Sequence, residues 1–159
     1  WVLAHGVHLT DDHGLRGTII HNPRSNMNNS VGYAAPGRFS NSIGLGTDGI
    51  GADMLDEFRI GYARLREHDI TGTPETIWKM LDTNTGLFPE SCQDLVTWSY
   101  PKIEPWHLAF STGVKPTDVV VAGERVMKDG VVLTVDAKEI RVKAAESAAR
   151  LFKKVDDSL

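Results

Sequence analysis

Three polar side chains stand where short apolar runs stop: Val2-Leu3-Ala4-His5, Thr18-Ile19-Ile20-His21 and Ile43-Gly44-Leu45-Gly46-Thr47-Asp48. A carboxylate placed like Asp48 can bind a divalent metal and take a proton from metal-bound water. A lone aspartate before glycine is also the mark of an ordinary turn. The densest polar segment, His21-Asn22-Pro23-Arg24-Ser25-Asn26-Met27-Asn28-Asn29-Ser30, starts at the second of these ends. It reads either as a loop whose Asn and Ser bond their own backbone or as part of a site at a strand end.

The elements that must position these residues follow from the pattern around them. Brief, nearly all-apolar runs suit strands of a parallel sheet buried on both faces, and in an α/β barrel such strands deliver their last residues to the site at the C-terminal face. About a dozen residues separate His5 from His21, near the minimum for a parallel crossover, so the spacing predicts a short helix there. Gly44-Leu45-Gly46-Thr47-Asp48-Gly49 satisfies a GxGxxG spacing, with Asp69 at roughly the distance of a ribose-binding acid. Only Ser42-Ile43 precede the first glycine, however, and the next helix is delayed to about Asp53. The spacing therefore favours glycines that belong to a strand and its exit over a dinucleotide-binding turn.

Asp53 caps a helix carrying Met54, Leu55, Phe58, Tyr62 and Leu65, and Thr73-Pro74-Glu75 opens a second one that runs to Gly86. Beyond it come β-rich runs at Asp94–Trp98, Asp118–Val121, Arg125–Met127 and Val131–Val135, with a hairpin signal at Lys128-Asp129-Gly130. These predict a small antiparallel sheet. A last helix is expected after the capping pair Asp136 and Glu139, with Ile140, Ala144, Ala148, Leu151 and Val155 as its buried stripe.

Composition limits the function classes. With 159 residues, 41% of them apolar, the chain can bury a core. Seventeen basic against 21 acidic residues, with no basic cluster longer than Lys153-Lys154, argue against nucleic acid. One cysteine, Cys92, excludes an internal disulfide framework and a thiolate zinc cluster, and fits a cytoplasmic setting. No apolar run approaches the roughly 20 residues that span a bilayer. The chain opens on Trp1-Val2-Leu3-Ala4 without Met or a signal-peptide pattern, so a truncated start is expected.

Taken in order, Ala4-His5-Gly6-Val7-His8, His21-Asn22-Pro23-Arg24-Ser25-Asn26 and Leu45-Gly46-Thr47-Asp48-Gly49 resemble consecutive motifs of the amidohydrolase superfamily. Within it they look most like the triazine-hydrolase, chlorohydrolase and S-adenosylhomocysteine deaminase group. Ser25 to Gly32, Asp53-Met54 and Glu57-Phe58-Arg59 are similar to SsnA-type aminohydrolases. The resemblance implies an α/β fold, the C-terminal part of a (β/α)₈ barrel (strands six to eight) over residues 1–90, β-sandwich strands over 91–136, and a terminal helix over 137–159. It implies a hydrolase acting on C–N bonds other than peptide bonds, deaminating a small heterocyclic substrate. Asp48 would ligate a divalent metal, zinc or alternatively iron, and accept a proton. His5 would steady the tetrahedral intermediate, and His21, Ser25 and Asn26 would shape the substrate end or brace the loop. His8, His13, His68 and His107 read as loop or packing residues.

The family's His-x-His pair and its His-x-x-Glu are absent from this sequence. Three strands of eight would leave sheet edges bare, so a companion is expected: an upstream segment of about 250 residues of the same enzyme, with a homo-oligomer left open. Without it the chain is expected to be inactive, and the alternative is a non-catalytic fragment or a degenerate binding or assembly module.

Overall fold

β1 (Val2–Ala4), β2 (Thr18–His21) and β3 (Ser42–Leu45) pair in parallel, in the order β1-β2-β3, in a computed structural model that describes residues 1–158. Leu3 lies opposite Ile19, and His21 opposite Leu45. All three expected strands are present, but β1 stops before His5 and β3 stops three residues short of Asp48. The helix expected between β1 and β2 is absent: residues 5–17 form turns. At Gly17, with φ +121°, a side chain would run into the carbonyl of Trp1, and Asn41 donates to the carbonyls of Leu15 and Gly17 to hold the returning chain.

The second crossover does carry a helix, α1 (Pro23–Asn28), inside the segment that the sequence left open as a polar loop. Pro23 takes the first helical position, where its missing N–H costs nothing. α1 buries Pro23, Ser25 and Asn26. α2 (Met54–His68) follows β3, capped by the Asp53 carboxylate, which accepts from the Leu55 and Asp56 amides. α3 (Pro74–Leu87) begins one residue after Thr73. A short α4 (Pro105–Phe110), which no periodicity announced, packs through Leu108, and Arg59 of α2 donates to the carbonyls of Leu108 and Ser111. The core is made of Ile19, Leu45, Phe58, Ile77, Met80 and Leu108.

Within this core Glu57 is fully buried. Its carboxylate accepts from the backbone N–H of Arg24 at 2.9 Å and from Arg24 Nε at 3.0 Å, and the Arg24 guanidinium also pairs with Asp56. Those partners, Asp56 first, push the Arg24 guanidinium above its ordinary range. Glu57 thereby fixes the start of α1 onto α2.

The chain divides into two compact units. The first joins residues 1–92 to 101–113, and the second joins residues 93–100 to the chain from Val114 onward. The second holds β4 (Leu95–Trp98), β5 (Pro116–Val121), β6 (Glu124–Lys128) and β7 (Val131–Val132), an antiparallel sheet in that order, and α5 (Ala137–Asp156). Asp129 and Gly130 both take positive φ, as do Ala122 and Gly123, which is the geometry of two-residue hairpins. The last strand is shorter than the Val131–Val135 run suggested. Asp136 caps α5 by accepting from Lys138 and Glu139 amides. The expected buried stripe of α5 is not buried: Ile140, Leu151 and Val155 are exposed. Periodicity marks a face able to be covered and says nothing of what covers it. Leu159, the last residue of the expected helix, lies outside the described residues. No helix among those described is long and apolar enough to cross a membrane.

One side chain closes the free edge of β3. Asn84 of α3 accepts from the Leu45 N–H at 3.2 Å and donates to the Leu45 carbonyl at 2.6 Å, standing in for a neighbouring strand. Asn84→Ala leaves both groups of a buried residue unpaired and is expected to lower unfolding stability by about 1–3 kcal/mol. Urea denaturation of the two proteins measures this, and equal midpoints would remove Asn84 from the account.

Candidate active site

His5 and Asp48 meet at the C-terminal ends of β1 and β3. His5 Nε2 stands 3.5 Å from Asp48 Oδ2, and each side chain is 39% exposed. Both residues take left-handed backbone conformations, φ +68° and +54°. His and Asp tolerate that region better than most residues, yet it still costs energy and gathers where chemistry is done. His5 is tied down by its N–H to the Ile20 carbonyl at 2.9 Å, and Asp48 lies in a short 3₁₀ turn over Asp48–Ile50.

α1 supplies the side chains that hold this pair. Ser25 Oγ donates to Asp48 Oδ2 at 2.6 Å, and the amide of Gly49 donates to Asp48 Oδ1 at 2.7 Å. These bonds, that from Ser25 first, hold the Asp48 carboxyl below the usual carboxylate range, with His5 nearby adding to the effect. The Asn26 amide lies 2.8 Å from His5 Nδ1. Asn22, which the sequence did not single out, brings Nδ2 to 3.4 Å from the same atom and also donates to the Ile20 carbonyl. A side chain on Gly46 would collide with Asn22 and Ile20, and one on Gly44 with Asn84 and Ile20. The two glycines are therefore packing residues. No α-helix opens among them, which is not the geometry of a dinucleotide-binding turn.

Four of the five expected site residues, His5, Ser25, Asn26 and Asp48, come together. His21 does not join them. It is paired with Leu45, whose side chain faces Gly61 of α2, so His21 points toward the helices. It is 1% exposed, meets Tyr33 edge-on at 5.6 Å, and Tyr33 in turn meets the His68 ring at a tilt, with centroids 5.0 Å apart. Asn22, one residue on, takes the opposite side and reaches His5, as strand alternation requires. A cavity of about 640 Å³ opens beside His5 and Asn26, walled by Leu3, Val7, Leu9 and Val31, and His8 lines it too. His13 packs edge-on against Phe39, and His107 lies 3.6 Å from Glu104.

The donor set is short of a metal centre. A catalytic zinc takes three protein ligands. Among the described residues no group of three or more His, Cys, Asp or Glu could hold an ion. Asp48 keeps free lone pairs on both oxygens and fits as one ligand, but these residues alone do not complete a site.

No family model matches the chain. Two curated relatives are 5-methylthioadenosine/S-adenosylhomocysteine deaminases. That of Desulforudis audaxviator is 30% identical over 186 residues, covering 96% of this chain and 43% of that protein. That of Bacillus cereus is 28% identical over 180 residues, covering 91% and 41%. The chain is thus similar in sequence to part of these deaminases. It spans 41–43% of the length of these two relatives. The fold is shared with a mutant atrazine chlorohydrolase from Arthrobacter aurescens, solved with zinc and atraton, at a TM-score of 0.72 and 15% identity over 91% of this chain and 40% of that one. It is shared too with an adenosine deaminase from Xanthomonas campestris with bound zinc, at a TM-score of 0.64 and 18% identity over 96% and 42%.

His21 makes a pH-dependent contribution to stability. Burial above all, then Arg64 and His5, pulls it from 6.5 to about 4. The folded chain thus binds fewer protons than the unfolded one between these values. The stability tied to a neutral His21 is complete above about pH 6.5 and is lost as the pH falls toward 4. At about 1.4 kcal/mol per pH unit the loss reaches about 3 kcal/mol. Urea unfolding at pH 7 and pH 4 should show it in the wild type, and His21→Gln, which cannot be charged, should shrink the difference. An unchanged pH dependence in the variant would exclude His21 as its source.

Proposed function

We propose that this chain is the C-terminal part of a hydrolase that acts on C–N bonds other than peptide bonds and deaminates a heterocyclic substrate. The observation that carries the reading is the His5–Asp48 pair: an ionised carboxylate and an imidazole 3.5 Å apart, held by Ser25 and Asn26 at the ends of parallel strands. The deaminase relatives support it. In this reading β1, β2 and β3 are strands six, seven and eight of a (β/α)₈ barrel, and the antiparallel sheet is part of an accessory β-sandwich. Asp48 takes a proton from the attacking water as the C–O bond forms and passes it to the departing amino group, His5 donates a hydrogen bond to the oxygen of the tetrahedral adduct, and the C–N bond breaks to release ammonia. Ser25 and Asn26 brace the pair.

Asp48 would also supply one ligand of a divalent metal, zinc or iron, which when bound activates water. Its remaining ligands would come from an upstream segment of the same enzyme, in keeping with the zinc of the solved neighbours. The substrate is a small molecule, no nucleic acid or membrane is involved, and the free Cys92 favours the cytoplasm. A homo-oligomer is compatible with all of this. The incomplete donor set favours a second reading, a degenerate module that binds or assembles without catalysis.

Ammonia release from S-adenosylhomocysteine and 5-methylthioadenosine by the parent protein, together with its metal content, separates the two. The hydrolase should carry about one zinc or iron per chain, and Asp48→Ala should lose both the metal and at least about 10²-fold in kcat. His5→Gln should lose activity on the order of 10²-fold while keeping the metal. A metal-free parent protein without deaminase activity would support the module, and full activity in Asp48→Ala would end the hydrolase reading.

A further inference from the structure

We infer that Asn22 and Asn26 are positioning residues that set the tautomer of His5, Asn26 donating to the single Nδ1 lone pair and the Asn22 amide N–H group flanking it, so that the Nε2–H is the ring group turned toward the reacting side. The value of this for catalysis rests on the hydrolase reading above; the hydrogen-bond geometry does not.

A neutral imidazole has one N–H and one lone pair, and its neighbours decide which nitrogen carries which. Three contacts surround the His5 ring. Asn22 presents Nδ2, which can only donate, at 3.4 Å from Nδ1. Asp48 presents a carboxylate oxygen, which can only accept, at 3.5 Å from Nε2. Both ask for a lone pair on Nδ1 and a proton on Nε2. The third contact, the Asn26 amide at 2.8 Å from Nδ1, is the shortest. It can face the ring with either end. With Oδ1 toward the ring, Nδ1 must carry the proton, a bare lone pair faces the Asp48 carboxylate, and Asn26 Nδ2 is left buried with no partner. Turning the amide end for end gives that orphaned donor the Nδ1 lone pair and removes both conflicts, leaving only a carbonyl oxygen unpaired. Unpaired buried N–H groups are rarer than under-used carbonyls. The two amides also come from one short stretch, Asn22 at the N-cap of α1 and Asn26 one turn later, and the Asn26 N–H bonds to the Asn22 carbonyl at 3.0 Å. They flank one ring atom from a common rigid base.

The test is spectroscopic and needs no turnover. In intact protein labelled with ¹⁵N-histidine at pH 8, the His5 signals are assigned by their loss in His5→Gln. Two-bond correlations then show which nitrogen is protonated. The wild type is expected to show an unprotonated Nδ1 and a protonated Nε2. In Asn26→Asp the side chain can only accept, so the His5 Nδ1 resonance should move to the protonated range. A protonated Nδ1 in the wild type, or an Nδ1 that stays unprotonated in Asn26→Asp, overturns the inference, and the wild-type measurement decides even if the variant fails to fold. An unprotonated Nδ1 in a protein that releases no ammonia would leave the tautomer assignment standing and sink only the hydrolase reading.

Discussion

A buried carboxylate governs the arrangement. Glu57 has no exposed surface, and an ion in that position is tolerated only when its partners are close and well aimed. Arg24 meets this demand twice, through its backbone N–H and its Nε, so the contact fixes a backbone position as well as a side chain. Because the bonded amide is the second residue of α1, the direction in which that helix leaves β2 is determined by α2. A hydrophobic contact of equal strength would hold the helix to the core without specifying its rotation, since burial has no preferred direction.

The site inherits its geometry from this anchor. Ser25 and Asn26 follow Arg24 immediately, and about 100° of helical turn separates neighbouring side chains. One reaches Asp48 beyond β3, and the other reaches His5 beyond β1. A six-residue helix that follows the middle strand thus reaches residues just past the ends of both flanking strands. It also offsets the cost of two non-glycine residues in left-handed backbone, since each strained residue is gripped by a short hydrogen bond from the same rigid piece.

What was legible in the sequence follows from how each feature is encoded. The parallel strands showed because buried strands are written as apolar runs, and β2 spans Thr18–His21 as the run did. Capping made α2 and α5 readable at their starts, Asp53 and Asp136. α1 was hidden because its buried residues are Pro23, Ser25 and Asn26: polar burial leaves no hydrophobic stripe, and Asn and Ser speak more loudly for turns than for helices. α4 is too short for a period to show. His21 illustrates a different limit. A run of letters locates the end of a strand but not which side its last residue faces, and register with Leu45 turns His21 to the helices while Asn22 faces His5. The sign that could have flagged Asn22 is its place immediately before the Pro23 that opens the helix.

The hydrogen bonds that define Asp48 also restrict what it can do. Ser25 and Gly49 keep the carboxylate ionised, which suits an anion that binds a cation or orients a donor. The same bonds make it a weaker base, and proton transfer from water is most efficient when the acceptor's pKa lies near the working pH. At its present exposure, then, Asp48 is better built for holding charge than for taking protons. Desolvation acts in the opposite direction, because removing water disfavours the charged form of a carboxylate and raises its proton affinity. On the proposed hydrolase reading, the balance between the two roles would be set by how much of the Asp48 side chain, 39% exposed here, a substrate and further walls of the site would cover. On the same reading Ser25 would tune that balance, since its hydroxyl donates to the carboxylate and can turn its proton to another acceptor without moving the backbone.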